Sequence, residues 1–336
     1  MKVCLYLELE SKLKCSGIGS AIKNQRKALE LNEVPYTNYL NDNFDIIHLN
    51  IIGPRSLYIA KRMKRKGKKV VLHAHVTADD FRNSYRFSNL IAPFLRRYLT
   101  YYYNRADLVL CPSEYTKGIL QGYGVKKPII AISNGIDTDK FYFLEEMRKN
   151  FRDKFDLDGI VPLSVGHLFI RKGIRTYVNV AKGFPNRFFW IGRRYKKLEE
   201  LEVSKIVKNA PENVTFINFI ENIVSAYCGT DVFFFPSFCE NQGIVLLEAA
   251  ACKRPILVRD LPVYENWLKE DVNCLKAKTD DEFKEKLEKL MKNESLRNKL
   301  AENAYEMSKE HSLKKIGEKL KGIYENLLDK KFNINN

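Results

Sequence analysis

No apolar run in this chain approaches the roughly 18 residues that a bilayer-spanning helix needs. Met1 opens directly into the apolar stretch Lys2 to Leu7 without a secretory signal pattern, so a cytoplasmic protein is expected. The seven cysteines, at 4, 15, 111, 228, 239, 252 and 274, form an odd set with no C-x-x-C pair, and no His stands at metal-ligand spacing. A disulfide framework and a metal centre are therefore not expected; the thiols read as reduced and mostly buried, and Cys239 has no local cation or His to activate it. Low-complexity segments and short-period repeats are absent, so disorder is expected only in the last few residues. Acidic residues are the scarcer charge, 41 Asp and Glu against 57 Lys and Arg, giving +16. That excess implies an anionic partner: nucleic acid, acidic lipid or a phosphate-bearing substrate. It lies mostly in the first 145 residues, with 23 basic against 13 acidic side chains.

What is present is an alternation of short apolar runs with helical patterns, over 336 residues, a length that favours two domains. In the first half the runs fall at Val3 to Leu7, Tyr36 to Leu40, Ile46 to Leu49, Val70 to Ala74, Leu108 to Cys111 and Ile129 to Ile132. After SNGID (Ser133 to Asp137) comes an irregular stretch, Thr138 to Leu144, which is the expected linker. The scheme then restarts at Val161 to Val165, Phe188 to Ile191, Val214 to Asn218, Val232 to Phe235, Ile256 to Val258 and Asn273 to Leu275. Such alternation predicts α/β architecture, two doubly wound parallel sheets in tandem, with a ligand between them. From Thr279 to Leu328 charged residues mix with periodic Leu, Ile and Tyr, predicting two or three amphipathic helices.

The stretch Asp231 to Trp267, DVFFFPSFCENQGIVLLEAAACKRPILVRDLPVYENW, organises the rest. Val232 to Phe235 suits a strand buried on both faces, Pro236 and Ser237 stop it, and a helix begins near Gly243. Glu240 falls in the loop. Glu248 falls inside a nearly all-apolar helix, where an unpartnered carboxylate costs several kcal/mol, roughly. Such βαβ units bind ligands beyond the carboxyl ends of their strands, near helix N-termini. A hydroxyl-rich ligand would satisfy both carboxylates, and so would a Tyr or Ser within the fold; spacing leaves both open.

Other stretches carry weaker signals. Gly17-Ile18-Gly19 precedes a helix and permits close backbone approach, but it lacks the third glycine of a dinucleotide fingerprint. His73 and His75 end a strand on one face without further metal ligands, and His48 ends another; satisfied core histidines are the usual outcome. GHLFIRKG, Gly166 to Gly173, brings Arg171 and Lys172 to a strand end, where a helix starting near Lys172 would complete a diphosphate clamp, or merely an exposed basic turn. NLIAPFLRRYLTYYYN, Asn89 to Asn104, places Phe94, Leu95, Tyr98, Leu99 and Tyr102 on one stripe opposite Arg96, Arg97 and Thr100, with Pro93 in a first turn. With KRMKRKGKK (Lys61 to Lys69) it reads as an interfacial helix on anionic lipid, or as a crossover helix packed on the sheet.

Together these residues resemble the family 4 retaining glycosyltransferases, which have the GT-B fold of two Rossmann-like domains facing a cleft. The resemblance spans nearly the whole chain. It rests on Glu240 and Glu248 as an E-x7-E pair, PS before them, LEAAACKRPILV after, RKG at 171 to 173 and SNGID. HAHVTADDFRNS, GYGVKKPIIAISNGID and PILVRDLPVYENWL are similar to diacylglycerol glucosyltransferases. The implied domains are 1–142, facing acceptor and membrane and completed by the helix 312–330, and 143–311, binding the nucleotide sugar. Implied catalytic residues are His75, Arg171, Lys172 and Glu240. The resemblance implies donor binding by Gly17, Gly19, Gly166, Lys172, Asn241, Gly243, Ile244, Val245 and Glu248, with Glu248 on the ribose and Glu240 on the sugar. Asp79, Asp80, Arg82, Arg96, Arg97 and Tyr98 are implied for acceptor or membrane. His167 replaces an Arg frequent in relatives, and Lys253 a Gly.

The function implied is retaining transfer of a hexose, glucose from UDP-glucose, to a lipid hydroxyl of diacylglycerol type at the cytoplasmic face of the membrane. The protein is then peripheral there, with an anionic membrane surface as partner and no nucleic acid. No tightly bound cofactor is expected and no metal is required. The acceptor attacks on the leaving group's face, and the departing phosphate accepts its proton. The alternatives are a saccharide acceptor of the cell envelope and, from another class, a basic module that binds membrane or nucleic acid without catalysis.

Overall fold

The structure is a computed structural model that describes residues 1–13 and 16–329. Cys15 and the last few residues, for which disorder was expected, lie outside the described residues. The chain forms two compact units, one of Met1–Asp79, Ile91–Asp137 and the segment from His311, the other of Asp80–Leu90 and Thr138–Glu310.

Six parallel strands run through the first unit: β1 Val3–Tyr6, β2 Tyr36–Thr37, β3 Ile46–Leu49, β4 Lys69–His73, β5 Leu108–Cys111 and β6 Ile129–Ala131. They are ordered 2-1-3-4-5-6. The second unit repeats the plan with β7 Pro162–Val165, β8 Phe188–Ile191, β9 Val214–Ile217, β10 Val232–Phe235, β11 Ile256–Arg259 and β12 Leu275–Ala277, ordered 12-11-10-7-8-9. Ile46–Leu49, Leu108–Cys111, Phe188–Ile191 and Val232–Phe235 are buried along their whole length, because helices cover both sheet faces. The expected doubly wound parallel sheets are thus both present. The last three helices are Asp280–Lys292, Glu294–Lys309 and Leu313–Leu328. Among the described residues no helix is long and apolar enough to cross a membrane.

The chain's last described helix returns to the first unit, burying Ile316, Leu320, Tyr324 and Leu327 against Ile22, Leu29 and the sheet. A Cβ on Gly317 would lie 2.2 Å from the Ala28 carbonyl oxygen, so only glycine lets this helix approach Gly17–Glu30 so closely. SNGID is fixed there as well. Asn24 Nδ2 donates to the Gly135 carbonyl at 2.9 Å, and Lys27 pairs with Asp137 at 2.6 Å. Lys253, at the turn where the resemblance implies glycine, has φ of 54°, in the left-handed region that favours glycine.

In the second unit one carboxylate ties a helix to the starts of two central strands. Asp231, just before β10, accepts from Arg148 at 2.6 Å, from Arg152 at 3.1 Å and from the Val161 N–H, just before β7, at 2.8 Å. Both arginines come from the helix Glu145–Phe155. Asp231→Ala would leave two arginines with carbonyl acceptors but no counter-charge and the Val161 N–H without its acceptor, and a loss of about 3 kcal/mol is expected. Trp190 and Trp267 both lie in this unit, so urea unfolding followed by tryptophan fluorescence checks it.

Candidate active site

β7 and β10 are neighbours in the second sheet, and the chain leaves them toward opposite sides, to β8 and to β11. Their carboxyl ends therefore flank the crevice where such sheets bind ligands. The loop after β7 carries Gly166, His167, Arg171 and Lys172; the loop after β10 carries Ser237, Glu240 and Asn241. Gly173 holds the two together. Its φ is 81°, and a Cβ there would lie 2.2 Å from the Pro236 carbonyl oxygen.

Across that contact Lys172 Nζ meets Glu240 Oε1 at 2.5 Å, and Ser237 Oγ donates to the same oxygen at 2.6 Å. The pair is nearly out of water, with side chains 14% and 7% exposed. Lys172 Nζ also lies 5.2 Å from the centre of the Phe235 ring. Burial pushes the ammonium pKa down, and Glu240 opposes that shift. The expected helix at Lys172 begins instead at Ile174, after a 3-10 turn over Ile170–Lys172. That turn consumes the amides the clamp was expected to offer: Arg171 N–H donates to the Asn83 carbonyl, Lys172 N–H to Phe169 and Gly173 N–H to Ile170. Charge at this corner is left to side chains. His167 adds none at neutral pH, since burial first, then Lys172, Arg171 and Arg193, lowers its pKa to about 4.

Gly243, at φ 87°, starts the helix Ile244–Ala251 in the left-handed conformation. The N–H groups of Gly243, Ile244 and Val245 have no intrahelical acceptor, as at every helix start. One turn on, Glu248 is 9% exposed. Its Oε2 accepts from Tyr227 Oη at 2.7 Å. Burial raises the Glu248 pKa, while the Tyr227 bond and the charge of Lys140 oppose the rise. Of the two open readings, the one in which a Tyr or Ser of the fold meets the carboxylates is observed: Tyr227 bonds one oxygen of Glu248 and Ser237 one of Glu240. Nothing local in the sequence marks Tyr227, twenty-one positions before Glu248; Ser237 shows there only as half of the PS pair.

The residues expected for acceptor or membrane separate. Asp80 accepts from Asn241 Nδ2 at 3.0 Å, inside the second unit. Asp79, in the first, accepts from Tyr123 Oη at 2.7 Å. Arg82 is exposed. The helix runs Ser88–Tyr103, so Pro93 stands in its interior and not in its first turn. Phe94 does not join the buried stripe. Five residues at 3.6 per turn put it about 140° from Leu99, and it is 69% exposed while Leu99 is fully buried. Leu90 and Ile91 are exposed beside it, with Arg97. Arg96 instead covers the Tyr123 ring and donates to the Gly122 carbonyl at 2.9 Å, and Tyr98 Oη donates to the Ile52 carbonyl at 2.7 Å.

In the first unit Gly17 is exposed and Gly19 buried; the Gly19 N–H donates to the Ser16 cap at 3.2 Å. A Cβ on Gly17 would meet nothing within 4 Å, so packing does not explain that glycine. His75 stacks on His73 with ring centres 4.0 Å apart, and its Nε2 lies 2.9 Å from Asn50 Oδ1. His73 Nδ1 lies 3.1 Å from both His48 Nε2 and Gln25 Nε2, and His48 Nδ1 lies 2.7 Å from Tyr324 Oη. Burial keeps the stack neutral and lowers the pKa values of His48 and His75 to about 3. Among the described residues no group of three or more His, Cys, Asp and Glu is arranged to hold a metal ion.

The model of Glycosyltransferase Family 4 matches residues 26–140, and that of Glycosyl transferases group 1 matches residues 146–307. A processive diacylglycerol alpha-glucosyltransferase of Acholeplasma laidlawii is 38% identical over 334 residues, covering 98% of this chain and 99% of that protein. Among solved structures, sucrose-phosphate synthase of Thermosynechococcus elongatus superposes with a TM-score of 0.83 at 15% identity, covering 98% of this chain and 100% of that one. Anabaena HepE in complex with UDP and glucose gives 0.79 at 16% identity, covering 97% and 100%. These two likenesses establish the shared GT-B fold.

The histidine stack generates a prediction about acid. A His held neutral in the fold, but protonated below about 6.5 when unfolded, takes up its proton only on unfolding. Its contribution is complete above pH 6.5 and is lost as pH falls from 6.5 toward 3. Hydrogen-exchange protection at the β3 and β4 amides, taken relative to the intrinsic exchange rate at each pH, should therefore fall as pH falls over that window, and a His48→Gln variant should flatten the slope.

Proposed function

The chain belongs to glycosyltransferase family 4, and from that premise we propose that it transfers glucose from UDP-glucose to a diacylglycerol-like hydroxyl, with retention, at the inner face of the membrane. The observation that carries the donor side is the buried Lys172–Glu240 pair at the β7–β10 crossover, with the open helix start and Glu248 next to it. Lys172 and Arg171 would meet the diphosphate, the amides of Gly243 to Val245 its oxygens, Glu240 the hexose hydroxyls and Glu248 the ribose. Asn241 and Gly166 line the same loops. The A. laidlawii protein, named for diacylglycerol and glucose, supports the acceptor and the sugar; HepE, seen with UDP and glucose, supports the nucleotide. Gly17, Gly19 and His75 remain proposed contacts on the first unit, beside the transferred sugar.

The chemistry asks little covalent work of the protein. The acceptor oxygen bonds to the anomeric carbon on the face from which the glycosyl–phosphate bond breaks, and the departing phosphate takes the acceptor's proton. Negative charge grows on that phosphate, and fixed cations lower its cost. No protein nucleophile and no metal enter this scheme.

Apolar Leu90, Ile91 and Phe94, 71%, 49% and 69% exposed, stand on one helix with Arg97. Such a face suits peripheral docking on anionic lipid. Phe94→Glu should cut co-sedimentation with phosphatidylglycerol vesicles several-fold and leave UDP-glucose affinity unchanged.

A screen of labelled nucleotide sugars with membrane extract as acceptor tests the assignment. A lipid-soluble labelled product is expected from UDP-glucose, and a labelled saccharide would move the acceptor to the envelope. Glu240→Gln and Lys172→Ala should each lower transfer by about a hundredfold or more, the loss typical when one electrostatic contact to the transition state is removed. Full activity in both would overturn the proposal.

A further inference from the structure

Residues 80–90 come from the first half of the sequence but fold within the second unit. They meet the donor loops at two separate points. Ser84, 4% exposed, accepts from Arg171 Nε at 2.6 Å, and the Asn83 carbonyl accepts from the Arg171 N–H at 3.2 Å. Further along, Asp80 Oδ2 accepts from Asn241 Nδ2. Asn83 reaches its position at a conformational cost, with φ of 53°. Asn89 secures it, accepting from the Asn83 N–H at 3.1 Å and donating to Asn83 Oδ1 at 2.8 Å.

Arg171 passes the constraint on. Its Nη1 donates to the Cys239 carbonyl at 3.1 Å, and its own carbonyl accepts from the Phe238 N–H at 2.7 Å. Ser237 and Cys239 are the residues just before Glu240, and Ser237 is itself bonded to that carboxylate. Arg171 thus links the 80–90 segment to the loop that carries Glu240, its guanidinium to Cys239 and its backbone carbonyl to Phe238.

We infer that segment 80–90 is part of the donor site: Ser84, through Arg171, and Asp80, through Asn241, are positioning residues that set the loop 237–241 in its donor-binding shape. This rests on the proposed reading that the Lys172–Glu240 site takes the nucleotide sugar. It moves Asp80 from the acceptor, where the resemblance placed it, to the donor. Charge-assisted bonds such as Arg171 to Ser84 are the strong ones, and a mobile loop binds more weakly by the fraction of time it is misplaced.

Calorimetric titration of the full chain with UDP-glucose, without acceptor, tests this. Ser84→Ala and Asp80→Ala should each weaken binding about tenfold, the scale of one lost hydrogen bond to a charged group. Asp80→Asn keeps an accepting oxygen and should bind within about twofold of the parent. Ser84→Ala combined with Arg171→Ala should bind no more weakly than Arg171→Ala alone. At saturating donor, the acceptor KM of each variant should match the parent. Thermal unfolding by tryptophan fluorescence checks that each variant is folded, and the Asp80 arm stands if Ser84→Ala is not. Unchanged donor affinity in folded Ser84→Ala and Asp80→Ala, or a raised acceptor KM in its place, overturns the inference. Failure of the parent to bind any UDP, GDP or ADP sugar overturns the underlying reading, and the inference with it; loss of binding in Lys172→Ala distinguishes the two cases.

Discussion

Taking a lysine and a glutamate out of water costs several kcal/mol per ion, roughly, and the attraction between them repays this only when geometry and further hydrogen bonds are good. The Lys172–Glu240 pair meets that condition: a 2.5 Å contact, a second donor from Ser237 on the same oxygen, and the Phe235 ring near the ammonium. Much of the second unit can be understood as what keeps these two groups opposed. β7 and β10 must be neighbours, Gly173 must lack a Cβ so that its turn rests on Pro236, and Arg171 must tie its own turn to the loop before Glu240. A buried pair is weak evidence for stability, since apolar residues would often serve as well. It is better explained as stored polarity. Under the proposed reading a diphosphate arriving at Lys172 gives the ammonium a second anion, and Glu240 is released to accept from sugar hydroxyls.

The two units manage titratable groups in opposite ways. The second buries charge and compensates it, with Asp231 between two arginines and Glu240 on Lys172. The first buries His48 and His73, with His75 half-buried, in a stack kept neutral by desolvation and bonded to Tyr324, Gln25 and Asn50. A neutral imidazole presented by such a stack can donate or accept a hydrogen bond without placing a cation beside the reacting sugar, which fits the part proposed for His75.

Much of the fold could be read from the residues, because parallel strands buried on both faces leave unbroken apolar runs: Ile46–Leu49, Leu108–Cys111, Phe188–Ile191 and Val232–Phe235 were expected with the bounds observed. The crossover helix was harder. Its aromatics are abundant enough to line more than one face, and Phe94, expected on the stripe of Leu99, sits about 140° from it and is exposed. The Glu pair was legible because a carboxylate in an apolar helix is rare enough to demand a partner. Tyr227 was not, since nothing local distinguishes a tyrosine that will hold that carboxylate from one that only fills space. Segment 80–90 was illegible for a different reason: the resemblance assigned Asp80 and Arg82 to acceptor or membrane, whereas the segment's hydrogen bonds run to residues some ninety and one hundred and sixty positions away.

Under the proposed function the loops after β7 and β10 and the helix start at Gly243 receive the nucleotide sugar. Backbone hydrogen exchange with and without UDP-glucose reads the amides themselves. Exchange at Gly243, Ile244 and Val245 and across 166–173 should slow when UDP-glucose is added, if this assignment holds. Unchanged exchange at those amides, with binding established independently, would contradict it.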